Sequence, residues 1–214
     1  MFMPSGGSVY TSLSFFRFLP IADVESIVKL AKEALVSLGV RGTLLISTEG
    51  VNGQFAVPPE LVQSLGGELA SLFGQPLDLN LGNTVDYSQP DTLCEFPFKR
   101  LIVRQKRQVL TDNLDLPLDC ADAGPELSPS DWHRALAEQQ GPSGGEAGEG
   151  GGSVLAPVVL DCRNSYESEV GGFTGALPLN TDVFSQSWAA LDELLKDTPR
   201  DAPILTYCTG GIRC

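Results

Sequence analysis

The sequence predicts an α/β protein of two domains, and three observations carry the prediction. Residues 10 to 110 run in the order β-α-β-β-α-β. Residues 126 to 214 alternate strand, helix and strand, the pattern of a parallel sheet. The last apolar run, Pro203-Ile204-Leu205-Thr206-Tyr207, leads directly into Cys208-Thr209-Gly210-Gly211-Ile212-Arg213-Cys214, a small-residue loop at a strand end.

In the first half, residues 13 to 18 (Leu-Ser-Phe-Phe-Arg-Phe) read as a strand. Asp23 is a helix N-cap, and Ile27, Leu30, Ala31, Ala34, Leu35 and Leu38 share one helical face ended by Gly39. Thr43 to Ser47 form an apolar strand, and Glu49-Gly50 make a turn. Val51, Gly53, Phe55 and Val57 alternate as in a half-buried strand. Pro58-Pro59 open a second helix carrying Leu61, Val62, Leu65, Leu69 and Leu72. Leu77, Leu79 and Leu81 alternate as the fourth strand. This is the ferredoxin-like split unit. Leu101 to Val103 and Val109-Leu110 add an extended pair around a basic cluster.

Residues 111 to 125 are acidic and irregular and are expected to be a linker. Ser128-Pro129-Ser130-Asp131 starts a helix that runs to about Gln140. Residues 141 to 153 are Gly, Ser and Glu, a flexible surface insertion. Val158 to Leu160 form a short buried strand ending at Asp161-Cys162-Arg163-Asn164. A helix follows from Phe184 to Lys196, with Trp188, Leu191, Leu194 and Leu195 on its inner face. The run up to Tyr207 is a buried closing strand.

Composition narrows the function classes. No run of 18 apolar residues exists, so no transmembrane helix is expected, and Met1 to Ser8 lacks the order of a secretory signal. The five cysteines (94, 120, 162, 208 and 214) are odd in number and unpaired in spacing. They suit free thiols in a reducing compartment, cytoplasmic or organellar. The single histidine, His133, excludes a two-His iron site within the chain. Net charge is −13, which opposes nucleic-acid binding in general. Yet Lys99, Arg100, Arg104, Lys106 and Arg107 crowd five of the 14 basic residues into one short stretch. Such a stripe either holds a phosphate backbone or blunts an exposed sheet edge.

The closing loop carries the chemistry. Gly210 and Gly211 let backbone N–H groups turn inward around the Cys208 sulfur, and such concavities hold anions. A thiolate beside those dipoles and the Arg213 cation has a lowered pKa and attacks better. Four residues separate Cys208 from Arg213, one fewer than in Cys-dependent phosphatases, so the ring fits sulfur rather than phosphate. The plainer alternative is a structural cysteine beside a Gly-rich turn. Asp161 and Arg163 orient this loop or, the favoured reading, pair to hold the strand end.

Three segments point to one family. The loop from Tyr207 to Cys214 resembles the rhodanese active-site loop. Asp161 to Glu167 and Gly171-Gly172-Phe173-Thr174-Gly175-Ala176-Leu177-Pro178 resemble the first rhodanese signature. Glu49-Gly50-Val51-Asn52-Gly53, preceded by Phe15-Phe16-Arg17-Phe18, completes the pattern. Together they resemble the tRNA uridine hydroxylase family over residues 12 to 214. The resemblance implies a ferredoxin-like (acylphosphatase-like) domain followed by a rhodanese-like domain. It implies oxygen-dependent 5-hydroxylation of the wobble uridine of tRNA, with molecular oxygen as cosubstrate and no other cofactor. It implies tRNA as partner, with a small sulfur donor possible, and Cys208 as the persulfide nucleophile, with Thr209, Gly210, Gly211 and Arg213 forming its loop.

Two departures accompany it. Gly172 stands where rhodanese-like domains usually carry His. The chain also stops at Cys214, where the family continues into a helix, so the rhodanese-like half is expected to be C-terminally incomplete. Without that helix the Cys208 thiol is expected near an ordinary pKa of about 8.5. Three functions stay open on these grounds: tRNA hydroxylation, a thiosulfate-type sulfurtransferase or sulfur carrier, and a non-catalytic remnant. Glu49 and Asn52 touch nucleotide or satisfy a turn, and Cys214 resolves a persulfide or is incidental.

Overall fold

In the computed structural model the described residues are 8–88, 96, 98–114, 123–139 and 155–214. Cys94, Cys120, the insertion at 141–153 and most of the expected linker lie outside them. The chain divides into two units, Met1–Val109 and Leu110–Cys214.

The first unit begins with strand β1 (Val9–Phe18), helix α1 (Val24–Ser37), and strands β2 (Arg41–Ser47) and β3 (Gly50–Val57). A 3-10 turn at Pro59–Leu61 leads into helix α2 (Val62–Phe73), then strands β4 (Asn80–Asp86) and β5 (Leu101–Gln105). The sheet order is β4-β1-β3-β2-β5. The first four strands pair antiparallel, as the ferredoxin-like reading requires, and β5 joins β2 in parallel. Asp23 caps α1, accepting the Ser26 backbone N–H at 3.0 Å, and Gly39 turns the exit at φ +65°. Phe15, Leu35, Leu44, Ile46, Val51, Phe55, Leu65 and Leu69 are fully buried in one core. Gly53 belongs to that core for a steric reason: a Cβ there would stand 2.3 Å from the Phe15 ring. Gly50, at φ +151°, brings its backbone against the Arg17 carbonyl.

Several sequence expectations shift. Leu30 is 50% exposed, because the buried stripe of α1 runs through Val24, Ala31 and Leu35. Leu77 and Leu79 pack on the core from an extended lead-in, but pairing with β1 starts at Asn80, and Leu81 is exposed. Only β5 exists of the expected extended pair. The Val109 N–H is taken instead by the Glu49 carboxylate at 2.7 Å, which also gives Glu49 a structural task.

The second unit contains helix α3 (Pro129–Gln139), strand β6 (Val158–Asp161), short helix α4 (Ser165–Ser168), strand β7 (Leu177–Pro178), helix α5 (Ser187–Leu195) and strand β8 (Ile204–Tyr207). The sheet is parallel, in the order β7-β6-β8. Val159 and Leu160 of the central strand are fully buried. The closing strand is not: β8 is an edge, and Ile204 is 39% exposed. Trp188 is also exposed rather than inner, its indole N–H donating to the Asp112 carbonyl at 3.2 Å. His133 is exposed on α3.

Candidate active site

Asp161 ends β6 and Cys208 follows β8, so both lie at the C-terminal edge of the parallel sheet, where α/β folds place ligands. The Cys162 N–H bonds the Tyr207 carbonyl at 2.9 Å and ties the two strand ends together. Cys208, Thr209, Arg163, Gly172, Phe173 and Tyr207 line a cleft of about 330 Å³.

The Cys208 sulfur receives the Arg213 backbone N–H at 3.4 Å and lies 3.5 Å from the Cys214 sulfur. Its pKa is lowered to about 5. The Cys214 hydrogen bond contributes most. Burial opposes it, the N–H groups of Arg213 and Gly210 support it, and the Arg213 charge adds the least. The same contact pushes the Cys214 thiol up, so the two sulfurs share one hydrogen bond and titrate as a pair. This direction differs from the near-ordinary thiol expected from the sequence, and its causes are the Cys214 contact and the amides of Arg213 and Gly210. Cys162 is buried, and burial pushes its thiol up to about 11. Gly211 adopts φ +75°, the left-handed turn that curls the loop.

Arg213 is placed differently from a cation resting on sulfur. Its guanidinium forms a two-pronged pair with Glu167, at 2.6 and 2.9 Å. Glu167 also accepts the Thr209 hydroxyl and the Asn164 N–H, and these partners, Arg213 first, hold its carboxyl down at about 2 against burial. Arg213 thus acts on the thiolate mainly through its backbone N–H, and Glu167 fixes the loop that presents it. The sequence carried a signal for Glu167: Asn164-Ser165-Tyr166-Glu167 has capping-box spacing.

Asp161 and Arg163 form the expected pair, with Nε to Oδ1 at 2.8 Å and Nη2 to Oδ2 at 2.6 Å. Burial raises the Asp161 pKa, but bonds from Arg163, Tyr207 and Ser168 outweigh it and bring it to about 2. The Arg163 guanidinium also reaches the Gly171 carbonyl and stands 5.3 Å from the Tyr207 ring centre. This network also crowds Gly172. A Cβ at Gly172 would lie 2.9 Å from the Tyr207 hydroxyl and 3.4 Å from Arg163 Nη2. Tyr207 meets Trp132 and Phe173 edge-on, and the Trp132 and Phe173 rings are tilted to one another at 5.5 Å.

In the first unit, Lys99, Arg100, Arg104, Lys106 and Arg107 are all exposed, on β5 or beside it. That strand is a sheet edge, so both readings of the cluster fit its position.

Comparison with known proteins now places the first unit. The family model described as "UPF0176 acylphosphatase like domain" matches residues 10–109. Over 96% of its length the chain is 30% identical to a tRNA uridine(34) hydroxylase of Brucella anthropi, covering 59% of that protein. A protein of the same name from Brucella suis is 27% identical over 99% of the chain, with 60% of its own length covered. The chain therefore spans about three fifths of the curated relatives it matches. Among solved structures, BlrP1 BLUF superposes at a TM-score of 0.32 with 18% identity, over 47% of this chain and 67% of that one, a likeness too slight to bear on function. Among the described residues no helix is long and apolar enough to cross a membrane.

Proposed function

We propose that this chain takes part in 5-hydroxylation of the wobble uridine of tRNA, with Cys208 as a sulfur-carrying nucleophile. The observation behind the sulfur step is the Cys208 sulfur, in an open cleft, accepting the Arg213 backbone N–H and lying 3.5 Å from the Cys214 sulfur. The relatives named tRNA uridine(34) hydroxylase, aligned over nearly the whole chain, support the substrate and the reaction. In the sulfur step the thiolate attacks the outer sulfur of a thiosulfate-class donor. A new S–S bond forms, the donor's S–S bond breaks, and sulfite leaves with the bonding pair. Cys208 then carries a persulfide anion in the N–H cradle. Molecular oxygen serves as the source of the hydroxyl oxygen, and its second atom leaves as water with two protons and two electrons from an external thiol-class reductant. The basic stretch from Lys99 to Arg107 holds tRNA phosphates.

The test is direct. The purified chain is given hypomodified tRNA and oxygen, and 5-hydroxyuridine is sought by mass spectrometry. Its absence refutes hydroxylation by this chain. A second reading, a sulfurtransferase or sulfur carrier, is favoured by the cleft and the low-pKa thiol taken alone. Cyanide-labile sulfur on the protein after thiosulfate, with no modified uridine, would select it. A chain negative in both assays is a non-catalytic binding domain.

A further inference from the structure

Both helices of the acylphosphatase-like unit pack their buried residues into the core on one face of its sheet. The strand alternation sends a second set of side chains to the opposite face. On β1, Leu13 and Phe15 are in the core, whereas Phe16 and Phe18 are outside it, with rings 6.0 Å apart and edge-to-face. On β5, Leu101 and Val103 pack on the core and Arg104 points away. Register then aligns one row across four strands: Phe16 opposite Asn52, Asn52 opposite Leu45, Leu45 opposite Arg104. Three strand spacings make this row about 14 Å long. Phe16, Asn52 and Leu45 are half-buried, and Gln54 and Arg104 are exposed. Neither the Asn52 amide nor the Arg104 guanidinium has a partner among the described residues.

We propose that this row is a platform for unpaired RNA bases. One or two bases stack on Phe16 and Phe18, Asn52 and Gln54 offer amides to base edges, and Arg104 joins the row to the basic edge that holds phosphates. Aromatic rings, free amides and a guanidinium in one half-exposed row are the chemistry that recognises single-stranded rather than duplex RNA. The face is too polar for a stable protein–protein core, since amides and Arg104 interrupt its apolar residues. The inference rests on the tRNA reading above and deepens it by naming the RNA feature that is gripped.

The test uses the full 214-residue chain and fluorescein-labelled RNA of ten uridines, with a blunt RNA duplex as the contrast. Phe16→Ala is expected to weaken binding of the single strand by about 5- to 150-fold, the range of one lost stack. Phe16→Tyr should keep it. The salt slope should not move, because no phosphate contact is lost, and duplex binding should be unaffected. Circular dichroism checks that each variant is folded. Should Phe16→Ala destabilise the chain, Phe18→Ala supplies the same readout. Wild-type affinity in both alanine variants, an equal loss on duplex, or no wild-type binding to the uridine strand overturns the platform. Failure of the hydroxylation reading shows separately, as absent 5-hydroxyuridine with the phenylalanine effect intact.

Discussion

Replacing Cys214 by Ala should raise the pKa of Cys208. The Cys214 hydrogen bond is the largest single cause of the lowered value, ahead of the two loop amides and the Arg213 charge. With a pKa of about 5, Cys208 is roughly nine-tenths ionised at pH 6. Loss of the neighbouring thiol leaves the amides in place, so the new value should lie above 5 but below the ordinary thiol range of about 8.5. A rise of about one unit or more would leave Cys208 roughly half ionised or less at pH 6. The assay is the rate of iodoacetamide alkylation against pH, with the modified peptide identified by mass spectrometry. Cys208→Ser confirms which thiol is read, and Cys162, held at about 11, stays silent through the range. An alkylation midpoint in Cys214→Ala that matches the unmodified chain would refute the assignment of Cys214 as the main stabiliser.

Other outcomes follow from the same contacts. Persulfide labelling after thiosulfate should vanish in Cys208→Ser and persist in Cys162→Ser; labelling that follows Cys162 or Cys214 contradicts the nucleophile assignment. Glu167 has a folded pKa of about 2, below its unfolded value, so its stabilisation is complete above about pH 4.3 and fades as pH falls toward 2. Glu167→Gln should therefore lower stability at pH 7 and flatten the acid limb of a melting-temperature profile, and an unchanged limb would place the acid sensitivity elsewhere. Gly53→Ala should cost about 1–3 kcal/mol in denaturant unfolding, since its Cβ would enter the Phe15 ring; a neutral result would mean the core yields there. Neutralising Lys99, Arg100, Arg104, Lys106 and Arg107 should weaken tRNA binding and flatten its salt dependence by roughly one unit per lost contact. An unchanged slope assigns them to edge protection.

The sequence by itself determined the elements whose signals are local. Asp23 and Gly39 marked the ends of α1, the 51–57 alternation marked β3, and the spacing from Cys208 to Arg213 marked the loop. Each depends on near neighbours in the chain, through caps, periodicity and small residues. Only the tertiary structure decided what distant residues do to one another. It gave the Arg213 guanidinium to Glu167, 46 positions away, and let Cys214 fold back on Cys208. It set β8 at a sheet edge, which apolar content alone could not distinguish from a buried strand. It brought Tyr207 and Arg163 close around Gly172. It also put Phe16, Asn52, Leu45 and Arg104 in one row, because register across a sheet is set by pairing between strands and not by any property of a strand alone.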